Sequence, residues 1–350
     1  MILGIDTSNY KTSVAIVSED GRVIADCRKL LTVKRGERGL RQSEAFFQHV
    51  NRLPDLLDEA MSKARDFCKQ TRGSLEFSKV VVSTRPRSCE GSYMPCFLAG
   101  LSFAKAFASG SGAEVLELSH QDGHLGAVQL SLMLDAGMNV NEIARAVRDS
   151  RDSGDYSFAA FHFSGGTTEA LICKAPMDDE EPSYKVEICG GTKDISYGQL
   201  LDRIGVARGL DFPCGEEIDE IACNFNVEDG FKNSLPKIKV TDGFINLSGL
   251  ETYCQRQVDK PFDLLCYETL QRVCESIIDM IYFINKNEGI KTFYFAGGVS
   301  ASRFMRNFIT KSLDEVGKMK NLDIEVKFAE PRYSADNAVG LAMIGGILWQ

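Results

Sequence analysis

His120 and His124 stand four residues apart in SHQDGHLGA, the spacing that puts two imidazoles on one face of a helix within reach of one metal ion. The residue after the first histidine is Gln121. The H-E-x-x-H motif needs a glutamate there as general base, so a protease is not expected. Asp336, in the RYSADNAVG turn entering the last predicted helix, is the natural third ligand. Two histidines and a carboxylate leave coordination positions open for ligand oxygens, which suits one divalent ion such as iron, zinc, manganese or magnesium. An H-x-x-x-H pair also arises by coincidence on surfaces and in cores; here it accounts for two of only 4 histidines.

Three glycine-rich segments each leave a predicted strand: GIDTSNYKTSVAIV (4–17), FHFSGGTTEALI (161–172) and YFAGGVSASRFMRN (294–307). With little side-chain bulk, backbone N–H groups in such loops can approach phosphate oxygens and form an anion-binding nest. In the third, Gly297 and Gly298 lead into a helix predicted from about Ser300, whose free N–H groups and dipole favour a negative group. A lone Gly-Gly after a strand is usually a tight turn. Three in this order, the second repeating the strand–turn–strand of the first about half-way along, are the plan of two duplicated lobes clasping a nucleotide. That is the plan of the actin, hexokinase and Hsp70 superfamily, an α/β fold of two mixed sheets flanked by helices. ATP, AMP or an acyl-adenylate is the expected ligand.

The elements that must position these groups follow from hydrophobic period. Strands are predicted near 2–7, 12–17, 22–28, 78–84 and 113–118, with helices near 42–66 and 95–109 and a further helix from about 120. A second set of strands is predicted near 156–163, 168–174, 184–189 and 291–296, packed by helices at 196–208, 215–224 and 299–314. The longest helical pattern, 261–286, has apolar residues at three- and four-residue spacing and reads as a core helix. The polar, weakly patterned segment 225–260 is expected to be a lid or insertion, and the last helix, 334–349, to return to the first lobe. The expected domains are therefore 1–150, 151–333 and a C-terminal helix over 334–350.

A chain of 350 residues exceeds the usual size of a single core, and 44% hydrophobic content supports ordinary globular lobes. The chain opens directly on a strand, and its most apolar stretch, LAMIGGILW (341–349), is too short to span a bilayer, so a cytoplasmic protein without membrane attachment is expected. The 11 cysteines are scattered without a C-x-x-C pair and mostly lie in apolar runs, the pattern of reduced, buried thiols. A net charge of −9 argues against a protein that holds nucleic acid by a broad basic surface. Any such role is local or supplied by a partner protein, and RKLLTVKRGERGLR (28–41) is the best local candidate, with a solvated basic loop as the plain alternative.

The order of loops, with His120/His124, SGG, LDR leading to FPCG, AGGVSASR and SADN, resembles the TsaD family over essentially the whole chain. Members transfer threonylcarbamoyl from its AMP anhydride to adenine 37 of tRNAs. The resemblance implies the ASKHA fold, metal ligands His120, His124 and Asp336, and adenylate contacts from Ser164, Gly165, Gly166, Asp202 and Gly215. Asp202 would accept the ribose hydroxyls; the plain reading is a helix-surface carboxylate.

The sequence also departs from the family pattern. Tyr10 and Lys11 replace an acidic Asp-Glu pair before Thr12, Thr167 replaces the histidine of SGGH, and Ser302 replaces the asparagine of SANR. The usual glycine-proline-glycine loop becomes STRPRSCEGSYMPC (83–96), where Arg85 and Arg87 add charge or simply sit exposed. Two unit charges ~4 Å apart interact by roughly 4 kcal/mol at an effective dielectric of 20, so the exchange at Lys11 bears on whether this loop favours a cation or a phosphate. Lys11 then either contacts phosphate, beside Thr12, or is a solvated lysine on a hairpin turn; Gly297, Gly298, Thr167 and Ser302 complete the nucleotide-binding candidates. The leading expectation is carbamoyl transfer to tRNA or a related acceptor. The alternatives are a nucleotide-binding regulatory or scaffold paralogue that has lost transfer and, more remotely, a small-molecule kinase of the same superfamily. Pairing as a homodimer, or as a heterodimer with a paralogue, is compatible with either of the first two readings.

Overall fold

The first strand, β1 (Ile2–Thr7), is buried along its whole length because both of its faces are covered. It lies at the centre of a five-stranded sheet with β2 (Lys11–Val17), β3 (Val23–Leu30), β4 (Lys79–Arg85) and β5 (Glu114–Ser119), in the order β3-β2-β1-β4-β5. β1, β2 and β3 run antiparallel in sequence, while β4 is parallel to β1 and to β5. The computed structural model describes residues 1–8, 10–33, 40–88, 91–137, 157–174, 184–228, 230–320, 323–330 and 338–348, with 142, 145 and 332. Asp336 and part of the basic stretch 28–41 lie outside the described residues.

Alternation along β1 divides its contacts. Leu3 and Ile5 share a core with Val14 and Ile16 of β2 and with Leu53, Leu56, Ala60 and Ala64 of helix α1 (Gln42–Thr71). Helix α2 (Phe97–Ser111) contributes Ala99, Ala104 and Ala108 to the same core. Gly4, on the opposite face, meets helix α9 (Ala338–Met343): a Cβ at Gly4 would lie 2.3 Å from the Ala338 carbonyl oxygen. α9 continues into a π-helical turn, Ile344–Leu348. Helix α3 (His120–Ala136) follows β5 without a loop, so the first histidine of the pair opens the helix.

These elements belong to one compact unit, comprising residues 1–156, 174–186 and 336–350. The second unit comprises 157–173 and 187–335. Its sheet contains β6 (Ser157–Phe163), β7 (Thr168–Lys174), β8 (Lys185–Thr192), β9 (Phe244–Ile245), β10 (Thr292–Ala296) and β11 (Glu325–Phe328), in the order β11-β10-β6-β7-β8-β9. β10 is parallel to both β6 and β11, so the glycine loops after β6 and β10 leave the same end of the sheet.

Helices α4 (Tyr197–Ala207), α5 (Gly215–Cys223), α6 (Ser248–Gln255), α7 (Phe262–Glu288) and α8 (Arg303–Lys320) pack this sheet. α7 supplies Leu270, Val273, Ile277, Met280, Ile281 and Ile284 to the core, as its period predicts. The segment 225–260 is built into the unit rather than standing apart. Leu235, Ile238, Ile245, Leu247, Leu250 and Cys254 are buried in the same core, and Asn233 and Ser234 hydrogen-bond Glu268 of α7. The described cysteines are free thiols, and among the described residues no helix is long and apolar enough to cross a membrane.

Candidate metal centre and nucleotide loops

His120 and His124 face each other with Nε2 atoms 3.1 Å apart and ring planes at 77°. Two nitrogens each about 2.0–2.1 Å from one ion would be about 2.9 Å apart at a right angle and about 3.4 Å apart at the tetrahedral angle. The observed separation lies between these, so the pair fits one ion without rearrangement.

The second nitrogen of His120 is fixed by Asp6. Its Nδ1 donates to Asp6 Oδ1 over 3.1 Å, which places the Nε2 lone pair toward His124. Asp6 lies on β1 and is fully buried; Oδ1 also accepts from Ser83 Oγ at 2.6 Å, and Oδ2 from Ser8 Oγ at 3.1 Å. A buried carboxylate with three donors has its rotamer fixed from all sides.

The helix carrying the pair is held at its start by Asp122. Asp122 Oδ2 accepts from the Ser119 amide at 2.8 Å and the Ser119 hydroxyl at 2.7 Å, while the Asp122 amide donates back to Ser119 Oγ at 3.2 Å. This reciprocal S-x-x-D arrangement is a capping box. Ser88 Oγ donates to the same oxygen at 3.0 Å and ties the 83–96 segment to the helix start. Burial pushes the Asp122 carboxyl up, while the hydrogen bonds from Ser119 and Ser88 and the charge of Arg85 pull it back.

Glycines let the C-terminal helix approach α3 at backbone contact. A Cβ at Gly340 would lie 1.8 Å from the Gly123 carbonyl oxygen, and one at Gly126 would lie 2.1 Å from the Gly340 carbonyl oxygen. The described part of this helix is anchored by the Ala338 amide, which donates to Ser13 Oγ at 2.9 Å. Lys11 and Thr12 open β2; Lys11 is half-buried and Thr12 fully buried. Thr12 Oγ1 is 2.9 Å from His49 Nδ1.

In the second unit, Ser164 to Thr167 form a tight turn closed by Ser164 N to Thr167 O at 2.9 Å and Thr167 N to Ser164 Oγ at 3.1 Å. Gly165 and Gly166 are exposed, and their amides make no hydrogen bond to the described residues. The turn rests on the start of α4. Ser196 Oγ donates to Gly165 O at 2.7 Å, and a Cβ at Gly198 would lie 2.5 Å from Gly165 Cα. Gly297, at φ 91°, brings the third loop against β6, where a Cβ would lie 2.3 Å from the Phe163 carbonyl oxygen. Gly298 opens a short 3₁₀ turn over Gly298–Ala301.

Asp202 and Gly215 are brought together: Asp202 Oδ1 accepts from the Cys214 amide at 2.8 Å, at the start of α5. Burial raises the Asp202 carboxyl, and that amide pulls it back. The helix after the third loop starts later than expected. The helix begins at Arg303, and its first amides already have an anion, because Arg303 N and Phe304 N donate to Asp219 at 2.9 and 3.1 Å. The Ser302 hydroxyl donates to Asp219 and accepts from Met305 N at 3.0 Å. An internal carboxylate therefore occupies the helix terminus that the sequence reserves for a ligand.

Asp6, His49, Asp122 and Asp219 escaped the sequence reading. Each is a polar residue on an otherwise apolar face, at 0%, 0%, 0% and 8% exposure, and that misplacement is the signal that could have found them.

A family model for tRNA N6-adenosine threonylcarbamoyltransferase, TsaD, matches residues 140–343, more than half of the chain. The threonylcarbamoyltransferase of Thermosipho africanus is 25% identical over 357 residues, covering 100% of this chain and 94% of the relative. That of Kosmotoga olearia is 26% identical, covering 98% and 92%. Among solved structures, full-length HypF in its phosphate- and nucleotide-bound form superposes with a TM-score of 0.54 at 12% identity, covering 99% of this chain and 54% of that longer one. The likeness to HypF shows the fold, which is of the ASKHA type.

Proposed function

Because the chain belongs to the TsaD family, we propose that it transfers a threonylcarbamoyl group from a mixed anhydride with AMP to the N6 amine of a tRNA adenosine. The amine attacks the carbamoyl carbonyl carbon, an N–C bond forms as the C–O bond to the phosphate breaks, N6 passes a proton to solvent, and AMP leaves. The observation that carries this reading beyond family membership is the His120–His124 pair, held ready by Asp6. A donor set of two neutral imidazoles, with Asp336 as the third ligand implied by the sequence, suits one divalent ion. Bound there, the ion supplies a Lewis acid for the oxygens of the anhydride.

Other residues bind and orient. The free amides of Gly165 and Gly166 suit phosphate oxygens, because no side chain obstructs them. Asp202, whose Oδ1 is engaged by Cys214, offers Oδ2 to ribose hydroxyls beside Gly215. Ser302 and the start of α8 are assigned to structure rather than to ligand. Rate enhancement on this reading comes mainly from positioning and from neutralising charge on the leaving phosphate. With a net charge of −9, tRNA is engaged locally or through a partner protein.

The test is direct. Metal-loaded protein is incubated with threonylcarbamoyl-AMP and unmodified tRNA, and digested nucleosides are analysed by mass spectrometry. Threonylcarbamoyl-adenosine is expected, and it should be lost in His120→Ala/His124→Ala. One observation favours a second reading, a nucleotide-binding paralogue without transfer: Tyr10 and Lys11 stand where the family carries acidic residues. That protein would bind AMP and form no modified nucleoside.

A further inference from the structure

His49 lies on the buried stripe of α1 and is fully buried, yet its two nitrogens reach residues on either side of the connection between β1 and β2. Nε2 is 2.8 Å from the Ser8 carbonyl oxygen, and Nδ1 is 2.9 Å from Thr12 Oγ1. A carbonyl oxygen can only accept, so Nε2 carries the proton. Burial lowers the pKa of the ring to about 4, so near neutral pH it is uncharged and Nδ1 accepts from the Thr12 hydroxyl. One imidazole thus links Ser8, just after β1, to Thr12 of β2.

The contact continues toward the metal pair. Ser8, whose carbonyl His49 holds, donates through its own hydroxyl to Asp6 Oδ2 at 3.1 Å, and Asp6 Oδ1 accepts a hydrogen bond from His120 Nδ1 at 3.1 Å. Any buried histidine needs partners for both nitrogens; what is particular here is that one of those partners, Ser8, also donates to the carboxylate that orients His120.

We propose that His49 is a positioning residue for the His120–His124 pair: by fixing Ser8 it fixes the Asp6 carboxylate, and through it the tautomer and direction of His120. The role deepens the metal reading above, but its first readout needs no metal. In metal-free protein with ¹⁵N-labelled histidine, His120 is expected in the Nδ1–H form in the wild type. His49→Phe fills the site without hydrogen bonds and should mix the two tautomers. Ser8→Ala cuts the same chain nearer to Asp6 and should do likewise, so the test survives if His49→Phe does not fold. Leu53→Ala, one turn along α1 in the same core, is the control for lost stability and should leave His120 unchanged.

The second readout is cobalt(II) titrated into the apoprotein. Affinity should fall about tenfold in His49→Phe and Ser8→Ala, the low end for outer-shell partners of a ligating histidine, and stay within about threefold in Leu53→Ala. An unchanged His120 tautomer in folded His49→Phe, or in Ser8→Ala where His49→Phe does not fold, would overturn the proposal, as would an equal change in Leu53→Ala. If the wild type binds no cobalt while the loop variants still mix the His120 tautomers, the metal reading fails and the positioning role stands.

Discussion

Replacing Asp6 by Asn removes one charge from the candidate metal centre while keeping its shape. The carboxylate receives Ser83 Oγ and His120 Nδ1 on Oδ1 and Ser8 Oγ on Oδ2. An amide therefore settles with its oxygen in the Oδ1 position, and its NH₂ faces a serine hydroxyl that can turn to accept. No hydrogen bond is lost by geometry. What is lost is charge assistance, which makes such bonds roughly twice as strong as neutral ones, and the basicity it lends to His120 Nε2. Metal affinity is expected to fall about 10- to 100-fold, about 1.4–2.7 kcal/mol. Asp6→Ala is different: it leaves the buried Ser8 and Ser83 hydroxyls without an acceptor, at about 1–3 kcal/mol each, together with the half-buried His120 Nδ1–H, and should damage folding as well. Zinc or cobalt titration into the two apoproteins, beside their thermal unfolding curves, separates the effects. A folded Asp6→Asn protein with wild-type metal affinity would refute the reasoning, as would an Asn variant that unfolds as early as the Ala variant.

Gly165→Val should leave folding intact, since a Cβ at that position meets nothing within 4 Å, yet weaken AMP binding at least about tenfold by calorimetry; equal affinity would remove the loop from the nucleotide site. Asp219→Ala should cost about 2 kcal/mol in urea unfolding, because the amides of Arg303 and Phe304 and the Ser302 hydroxyl lose their acceptor at the start of α8. His49 gives a pH dependence of stability. Burial lowers its pKa from 6.5 to about 4, so between these values the unfolded chain binds more protons and stability falls as pH drops through that window, by up to about 3 kcal/mol. In His49→Gln this contribution should vanish from the pH profile of the urea midpoint.

Hydrophobic period and glycine placement made most of the fold legible, as in β1, whose apolar alternation predicts the strand that the structure places at the sheet centre. The i, i+4 spacing of His120 and His124 likewise predicted their convergence. What stayed hidden depends on distant pairing. Asp6 is 114 residues from His120, and Asp219 caps a helix more than 80 residues away, distances at which no local pattern operates. β11 is a four-residue edge strand, EVKF, whose polar–apolar alternation is too short to stand out from its charged surroundings. The segment 225–260 read as a lid because its apolar residues are isolated in sequence; the structure gathers them onto α7. The capping box at Ser119 and Asp122 was legible in principle, since S-x-x-D before an apolar run is a helix-start pattern.

Transfer itself decides between the two functional readings. In a single-turnover reaction, metal-loaded protein, threonylcarbamoyl-AMP labelled in the carbamoyl group, and tRNA with either adenosine or guanosine at position 37 are mixed, and AMP and labelled nucleoside are counted together. A threonylcarbamoyl transferase yields one AMP for each modified adenosine and no label on the guanosine tRNA. Bound AMP with no labelled nucleoside on either tRNA would contradict the account.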